Sequence, residues 1–184
     1  MGAPKAVNAK LDGRFVRCDE AFTSQILEIF NDAILTATAL YEYKPRTPEM
    51  MTTWFENKRR GNFPVIGLLD DKGEFLGFGS YGTFRAFPAY KYTVEHSVYV
   101  ATRHRGRGAG KLLLEEIIRQ AREQNYHVLV GVIDAQNSVS INLHKRLGFQ
   151  HAGTVRHAGF KFGRWLDVDF YQLVLEGPAN PMDG

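Results

Sequence analysis

The stretch that most constrains the fold of this chain is residues 92–118, which combine a strand pattern, a glycine-rich turn and a helix pattern. Residues 92–100 are rich in β-branched and aromatic side chains, which is typical of a buried strand. Residues 103–111 are basic and contain three glycines. The apolar residues that follow at helical spacing are Leu113, Leu114, Ile117, Ile118 and Ala121. A strand, a glycine turn and a helix N-terminus in this order present backbone N–H groups to a phosphate.

The rest of the chain supplies enough apolar material for one domain around this unit. Of its 184 residues, 44% are hydrophobic, which suffices for a full core. We expect a flexible lead over residues 1–13, one domain over residues 14–176 and a loose tail over residues 177–184. No apolar run approaches the length of a membrane span, so no membrane partner is expected. The single cysteine, Cys18, excludes an internal disulfide and indicates a reducing cytoplasm.

Apolar periodicity predicts an α/β fold with the element order β-α-α-β-β-β-α-β-α-β-β and a mixed sheet flanked by helices. The predicted strands span residues 14–17, 63–69, 75–84, 92–100, 128–133, 149–156 and 166–175. The predicted helices span residues 19–35 and 48–60, the stretch after the glycine turn, and a short stretch capped by Asn137 and ended by Gly148. Residues 157–165 are expected to connect the last two strands. Glycines in the third strand, Gly77, Gly79 and Gly82, predict close approach by another element.

The glycine turn carries Arg103-x-x-Gly106-x-Gly108, with Gly110 two residues later. Glycine permits close approach of backbone N–H groups to a phosphate. Two common phosphate motifs, G-x-x-x-x-G-K-[ST] and G-x-G-x-x-G, are not present. An ordinary flexible loop before a helix is the alternative, but the flanking strand and helix favour an anion site. So do the four cations in the turn, namely Arg103, Arg105, Arg107 and Lys111.

Glu95 is the central ionisable residue of the strand over residues 92–100. A carboxylate within such a β-branched run needs a partner or a cleft, and a salt bridge at a strand edge is the alternative to a catalytic role. His144 follows Asn137 by seven residues, so both are expected on one face of the short helix. His144 could equally be a packing residue, and Asn137 could be a simple helix cap.

Charge and histidine spacing narrow the kinds of partner. The net charge of +3 and pI near 9.0 are mild, whereas a nucleic-acid binder concentrates more charge on one face. We therefore expect no nucleic-acid partner. The six histidines lack a metal-ligand spacing such as H-E-x-x-H, so no metal is expected.

These motifs resemble the GNAT superfamily of N-acetyltransferases. The glycine turn is similar to that superfamily's acetyl-CoA pyrophosphate loop, and Asn137 with residues 143–149 (LHKRLGF) is similar to its later helix and strand. Residues 92–100 (YTVEHSVYV) and 159–175 (GFKFGRWLDVDFYQLVL) resemble the branch of phosphinothricin and methionine sulfoximine N-acetyltransferases. The likeness covers residues 14–175. It implies a single-domain GNAT fold whose mixed central sheet is mostly antiparallel.

The resemblance also implies a reaction and its residues. Acetyl-CoA would donate its acetyl group to the α-amine of methionine sulfoximine, methionine sulfone or phosphinothricin, in a ternary complex on a cytoplasmic homodimer. Glu95 would be the general base, and His144 would protonate the CoA thiolate. The residues implied for acetyl-CoA are Val98, Tyr99, Val100, Arg105, Gly106, Arg107, Gly108, Ala109, Gly110, Lys111 and Asn137. Those implied for the substrate are Arg85, Phe87, Tyr90, Tyr92, Glu95 and Lys161, with Arg85 gripping a carboxylate.

Other functions stay open from the sequence. The same fold could acetylate another amine, such as a protein N-terminus, a polyamine or an aminoglycoside. The chain could also be a CoA-binding regulator without turnover, or a nucleic-acid- or anion-binding module. Two departures bear on the acceptor: residues 36–43 (TATALYEY) have tyrosine where relatives often show tryptophan, and residues 87–92 (FPAYKY) lack a glycine.

Overall fold

The structure is a computed structural model that describes residue 11 and residues 13–183, so most of the predicted lead over residues 1–13 lies outside the described residues. Within this part of the chain, strands and helices follow the predicted order. The strands are β1 (Gly13–Arg17), β2 (Val65–Asp70), β3 (Phe75–Thr83), β4 (Thr93–Val100), β5 (Val128–Asp134), β6 (Gln150–Lys161) and β7 (Arg164–Val174). The helices are α1 (Thr23–Thr36), α2 (Pro48–Arg60), α3 (Ala109–Glu123) and α4 (Ser138–Arg146).

The seven described strands form one sheet in the order β1-β2-β3-β4-β5-β7-β6. Every neighbouring pair is antiparallel except β4 and β5, which run parallel. The prediction of a single α/β domain with a mixed, mostly antiparallel sheet flanked by helices is therefore confirmed.

The parallel strands β4 and β5 pair only near their N-terminal ends. Their paired residues run from Thr93 with Val128 to His96 with Gly131. Beyond this point β4 continues beside β3, and β5 continues beside β7. The facing edges, residues 97–100 and 132–134, form what we call the β4–β5 opening. Backbone N–H and C=O groups at such an edge lack a sheet partner and can bind an extended ligand.

Helices cover both faces of the sheet. The helix α3 packs on one face through the apolar residues that its sequence pattern predicted. They are Leu113, Leu114, Ile117, Ile118 and Ala121, and all are buried. The helices α1 and α2 pack on the other face around Phe30, Phe55 and Phe78. The β4–β5 opening therefore lies between two packed layers, which hold its edges in place.

Two of the three glycines in β3 meet another element closely, as predicted. A Cβ on Gly77 would lie 2.4 Å from the carbonyl oxygen of Tyr99, and one on Gly79 would lie 2.8 Å from the Ile117 side chain. These contacts seat β3 between β4 and α3.

The prediction that residues 157–165 connect the last two strands is wrong. Strand β6 continues to Lys161 and β7 begins at Arg164, so the connection is a two-residue turn. Its residues, Phe162 and Gly163, have φ of 51° and 73°, as a tight hairpin turn requires. Most β6 side chains are exposed, so the sequence shows no apolar alternation there.

The first helix also differs from its prediction, because α1 begins at Thr23 rather than Asp19. The Asp19 carboxylate accepts a hydrogen bond from the Ala21 N–H and starts a single 3₁₀ turn before the helix. Just before it, Cys18 is buried, and burial raises the pKa of its thiol to about 12. The thiol therefore stays protonated and unreactive.

Two kinds of feature are not found in the described part of the chain. None of its helices combines the length and the apolar character that crossing a membrane requires. No group of three or more His, Cys, Asp or Glu side chains there could hold a metal ion.

Candidate active site

Glu95 lies in the middle of β4, on the face that α1 and α2 cover. It is half-buried and lies directly opposite Gly82 of β3. Burial raises the pKa of the Glu95 carboxyl, and the charges of Arg85 and Lys58 lower it in part. No ion pair within 4.0 Å involves Glu95 among residues 13–183, so the salt bridge considered from the sequence is not formed. A partly desolvated carboxylate of this kind suits a general base.

His144 lies in α4, on the opposite face of the sheet from Glu95. It is buried, and its Nε2 lies 3.2 Å from Nε2 of His96, the residue that follows Glu95 in β4. The two imidazole rings stack with centroids 5.1 Å apart. Successive strand residues point to opposite faces, so Glu95 and the imidazole pair flank the sheet at the end of the paired part of β4 and β5.

Hydrogen-bond partners fix the tautomers of the imidazole pair. Nδ1 of His144 lies 2.7 Å from the carbonyl oxygen of Ser140 and must carry a proton, because a carbonyl only accepts. Nε2 of neutral His144 is then an acceptor, and the N–H at Nε2 of His96 donates to it. Burial, with the nearby His144 charge, lowers the pKa of His96 to about 3, and burial also lowers that of His144. Both rings are therefore neutral near pH 7.

Gly131 of β5 makes room for this pair. A Cβ at this position would lie 2.9 Å from Nε2 of His96 and 3.0 Å from Nε2 of His144. Gly131 is also the last β5 residue that pairs with β4. The missing side chain lets both rings reach the edge of the β4–β5 opening.

The glycine turn leads directly into α3 and leaves its N-terminus free. Gly106 and Gly108 have φ of 75° and 91°, and a Cβ on either would meet nothing within 4 Å. Gly108 is the N-cap residue of α3, and no side chain forms a capping hydrogen bond there. The first two helical residues are Ala109, which is buried, and Gly110. The first N–H groups of α3 thus remain for an anion. The exposed cations around this turn are Arg105, Arg107 and Lys111.

The fourth cation of the turn, Arg103, is held away from it by ion pairs. Its guanidinium lies 3.1 Å from the carboxylates of both Glu28 and Glu74. Glu74 also lies 3.1 Å from Nε2 of the buried His104. The cluster available to a phosphate is therefore smaller than the sequence suggested, which counts against the nucleic-acid interpretation.

The β4–β5 opening is bordered by residues expected to bind acetyl-CoA. Its β4 edge carries Val98, Tyr99 and Val100. Nε of Arg105 donates to the Val100 carbonyl at 3.2 Å, which links the glycine turn to this edge. Beyond β5, Asn137 caps α4 through its side-chain oxygen, which accepts from the Ser140 N–H at 3.1 Å. The predicted cap is confirmed.

A cavity of about 240 Å³ lies beside the loop between β3 and β4. Three of the predicted substrate residues, Arg85, Phe87 and Tyr90, line it. The other three, Tyr92, Glu95 and Lys161, do not line it. The Tyr92 hydroxyl accepts from the backbone N–H of Met182 at 3.2 Å and so contacts the C-terminal tail. Arg85 donates to the Phe84 carbonyl, and its guanidinium stacks 4.6 Å from the centre of the Phe84 ring.

Lys161 is buried, and its ammonium group forms hydrogen bonds within the protein. Nζ donates to the carbonyls of Ala37 at 2.9 Å and Leu40 at 2.6 Å. Close by, the Tyr43 hydroxyl donates to the Phe160 carbonyl at 2.6 Å. Lys161 therefore fastens the segment between α1 and α2 to the end of β6.

Three residues of the site were missed in the sequence, namely Lys58, His96 and Gly131. Lys58 continues the inner stripe of α2 after Met51 and Phe55, so a lysine at an apolar position was the available signal. His96 alternates with buried valines in β4, which is a similar signal. Gly131 matters because side chains from β4 and α4 pack against it, and no local sequence pattern indicates such contacts.

Comparison with known proteins agrees with the motifs. The profile of the Acetyltransferase (GNAT) family matches residues 26–149. The L-methionine sulfoximine/L-methionine sulfone acetyltransferase of Pseudomonas aeruginosa is 44% identical over 151 residues, which are 82% of this chain and 88% of that protein.

Two solved structures share the fold and much of the sequence. A phosphinothricin acetyltransferase from Sinorhizobium meliloti in complex with acetyl-CoA superposes with a TM-score of 0.88 at 33% identity, covering 92% of each chain. A ribosomal-protein-alanine N-acetyltransferase from Brucella melitensis superposes with a TM-score of 0.85 at 41% identity, covering 88% of this chain and 99% of that one. The similarity thus extends over nearly the whole chain.

Proposed function

This chain belongs to the GNAT acetyltransferase family and is an N-acetyltransferase, and on that premise we propose that it acetylates the α-amino group of small amino-acid analogues. The proposed acceptors are methionine sulfoximine, methionine sulfone and phosphinothricin, after the relatives that carry these names. The observation that carries the proposal is Glu95, a half-buried carboxylate that forms no ion pair within residues 13–183 and lies close to Arg85 and the β4–β5 opening.

Acetyl-CoA is the cosubstrate of this family, and a neighbouring structure contains it. The residues of this chain fit it. The open N-terminus of α3, with Gly106, Gly108 and three exposed cations, suits a pyrophosphate. The backbone of Val98 to Val100, which has no partner in β5, suits the amide-bearing pantetheine arm. Arg105, Arg107, Lys111 and Asn137 would complete the contacts. The thioester that acetyl-CoA supplies is the activated acetyl group of the reaction.

Glu95 would accept the proton of the substrate ammonium, directly or through water. The α-amine of a peptide, with a pKa near 8, costs about 1 kcal/mol to deprotonate at pH 7.5, and a lysine side chain costs roughly 4 kcal/mol. The ammonium of a free amino acid, whose own carboxylate raises its pKa, lies between the two. A modest base therefore suffices for an amino acid, and orientation supplies much of the rate in a direct transfer within a ternary complex.

The imidazole pair of His144 and His96 would return a proton to the departing sulfur. The pair is buried on the other face of the sheet at the edge of the β4–β5 opening. A thiol has an ordinary pKa near 8.5, so a thiolate can take a proton from an imidazolium. Nε2 of His144 is the candidate atom for this transfer, because Nδ1 is committed to Ser140. Since the ring is neutral at rest, Nε2 would first take up the proton that the acetylated amine loses and would then pass it to the sulfur.

We also propose a homodimer in the cytoplasm. The β6–β7 hairpin exposes several large apolar side chains, and such a patch is typical of an interface. They are Val155, Phe160, Phe162 and Trp165. Analytical ultracentrifugation of Trp165→Glu should give a monomer where the wild type gives a dimer. A monomeric wild type contradicts the proposal.

A second acceptor, a protein N-terminus, is favoured by the similarity to the ribosomal-protein-alanine N-acetyltransferase. Against it, the cavity of about 240 Å³ suits a small molecule, and its cation Arg85 suits a free carboxylate. In a peptide that begins with alanine, the carbonyl next to the reacting amine is an amide and carries no charge for Arg85 to bind.

A thiol-release assay tests the proposed function. Wild-type protein with acetyl-CoA should release CoA with phosphinothricin, methionine sulfoximine and methionine sulfone, and not with an alanyl peptide, spermidine or an aminoglycoside. N-acetylated product identified by mass spectrometry should match the released thiol. Turnover with the peptide alone would replace the amino-acid proposal with the second acceptor.

A further inference from the structure

Lys58 extends from the inner face of α2 toward the sheet. It follows Met51 and Phe55 on the buried stripe of the helix, where an apolar residue is expected. Its Nζ donates to the carbonyl of Tyr81 at 2.8 Å and lies 5.4 Å from the centre of the Trp54 ring. The ammonium group is therefore placed over β3 instead of being left in solvent.

Gly82 keeps the space between Lys58 and Glu95 open. The register of β3 and β4 pairs Gly82 with Glu95. Directly opposite residues of antiparallel strands share a face, with Cβ atoms about 5 Å apart. A Cβ on Gly82 would lie 3.5 Å from Nζ of Lys58. The ammonium thus lies on the same face as the Glu95 carboxylate, with no side chain from β3 between them.

Lys58 has hydrogen-bonding capacity that the described part of the protein does not use. Only one of its three N–H donors has an acceptor there, and no carboxylate lies within 4.0 Å of it. Lys58 lines a cavity of about 390 Å³. This cavity shares the wall residues Phe63 and Thr83 with the cavity of Arg85. Four cations thus border the two cavities, Lys58 and Arg60 the one and Arg85 and Lys91 the other. Lys58 and Arg85 are the two whose charges lower the pKa of the Glu95 carboxyl.

We propose that Lys58 binds the polar terminus of the substrate side chain, while Arg85 binds its α-carboxylate. The inference rests on the proposed function, since it places the acceptor amine at Glu95. In an amino acid the carboxylate is one carbon from the amine, whereas a phosphinate or sulfoximine terminus lies several bonds further away. Two separate cations match two separate oxygen-bearing groups. Lys58 is then a specificity-determining residue that favours acceptors with an anionic side chain.

Two acceptors that differ at this terminus test the proposal. For Lys58→Met, kcat/KM should fall about 100-fold with phosphinothricin, whose phosphinate is anionic, because a charge-assisted hydrogen bond is lost. It should fall no more than about 10-fold with methionine sulfone, whose sulfone is neutral. Lys58→Arg should restore most of the difference. Lys72→Met, in the exposed turn between β2 and β3, is the control and should match the wild type.

The possible outcomes distinguish a failure of the role proposed for Lys58 from a failure of the proposed function. Equal losses with both acceptors, with or without a lower thermal stability, overturn the role of Lys58 and leave the proposed function standing. A wild type that acetylates neither acceptor overturns the proposed function and this inference with it.

A pH profile adds a readout that a purely structural lysine would not move. Burial lowers the pKa of Lys58 to about 8, helped by the charge of Arg46 and opposed by that of Glu95. Arg60, which lines the same cavity, and Arg85 and Lys91, which line the adjoining one, are further charged groups near this site. The ratio of kcat/KM for phosphinothricin to that for methionine sulfone should therefore fall as pH rises through about 8. Both acceptors carry an α-amine that must lose a proton, and taking the ratio of their kcat/KM values cancels this shared pH dependence. Lys58→Arg should keep the ratio flat, and a flat ratio in the wild type contradicts the proposal.

Discussion

The Nε2 atoms of His96 and His144 lie 3.2 Å apart, and this contact joins β4 to α4 where the pairing of β4 and β5 ends. Since Nδ1 of His144 donates to the Ser140 carbonyl, a single proton lies between the two Nε2 atoms when both rings are neutral. Any proton that leaves Nε2 of His144 is therefore exchanged in contact with His96. The two histidines are expected to act as one unit, whose titration belongs to the pair.

His96→Phe should test this unit. The substitution removes the donor to a buried nitrogen, which costs about 1–3 kcal/mol of stability, and it frees the His144 ring. We expect kcat to fall about 10-fold with an unchanged KM for acetyl-CoA. Phe149→Leu is the control, because Phe149 contacts both rings by packing alone. Wild-type kcat in both His96→Phe and His144→Phe would remove the pair from the mechanism.

Gly131→Ala should damage the same unit without removing a polar group. Its Cβ would lie within 3.0 Å of both Nε2 atoms, so one ring must move. Overpacking of this kind costs about 1–3 kcal/mol. Chemical denaturation should show the loss, and Val132→Ala, at an exposed position of the same strand, should show little. An unchanged midpoint for Gly131→Ala would mean that the rings separate freely.

Glu95→Gln should lower kcat about 100-fold and leave the affinity for acetyl-CoA unchanged. It should also stabilise the protein near pH 7. Burial raises the pKa of Glu95, so between its unfolded and folded pKa values the native state holds more protons and loses stability as pH rises. Glutamine has no such loss. The gain in unfolding temperature should vanish below about pH 4, where the glutamate is protonated in both states. A variant with wild-type turnover contradicts the base role.

Arg107→Ala should raise KM for acetyl-CoA about 10-fold, because a cation beside the open N-terminus of α3 would be lost from the phosphate. The increase should shrink at high salt. Arg103→Ala is the matched control from the same turn, since Glu28 and Glu74 already occupy its guanidinium. Equal effects of the two substitutions would indicate a diffuse charge effect instead of a contact.

Lys161→Met should weaken the acceptor site without touching the acetyl-CoA site. It removes two hydrogen bonds to the carbonyls of Ala37 and Leu40, so the segment between α1 and α2 should loosen. We expect KM for the amino acid to rise about 10-fold and limited proteolysis within residues 37–47 to accelerate. A raised KM with unchanged proteolysis would instead indicate that Lys161 contacts the substrate directly.

Local patterns were sufficient for the order of the elements and for the strand, glycine turn and helix of residues 92–118. The strand before Arg103, the glycines and the α3 stripe lie within one stretch, so spacing alone predicted their arrangement. The position of Lys58 was out of reach, because it depends on the register that sets Gly82 opposite Glu95. The imidazole pair was also out of reach, because its two histidines are 48 positions apart in the sequence. They meet only because Gly131, on a third element, has no side chain to fill the space between them and β5. The outer part of the β6–β7 hairpin, residues 157–165, was missed because its exposed side chains show no apolar alternation.

The contacts that fasten the segment between α1 and α2 to β6 span more than a hundred residues, since Lys161 is 124 positions from Ala37 and Tyr43 is 117 from Phe160. This separation has a consequence for the order of assembly. A chain emerging from the ribosome can complete β4, the glycine turn and α3 well before β6 exists, and contacts distant in sequence form late. The anchoring of the segment between α1 and α2 to β6 should therefore be among the last steps of folding, and a chain that ends before β6 should already have the glycine turn and the N-terminus of α3 in place.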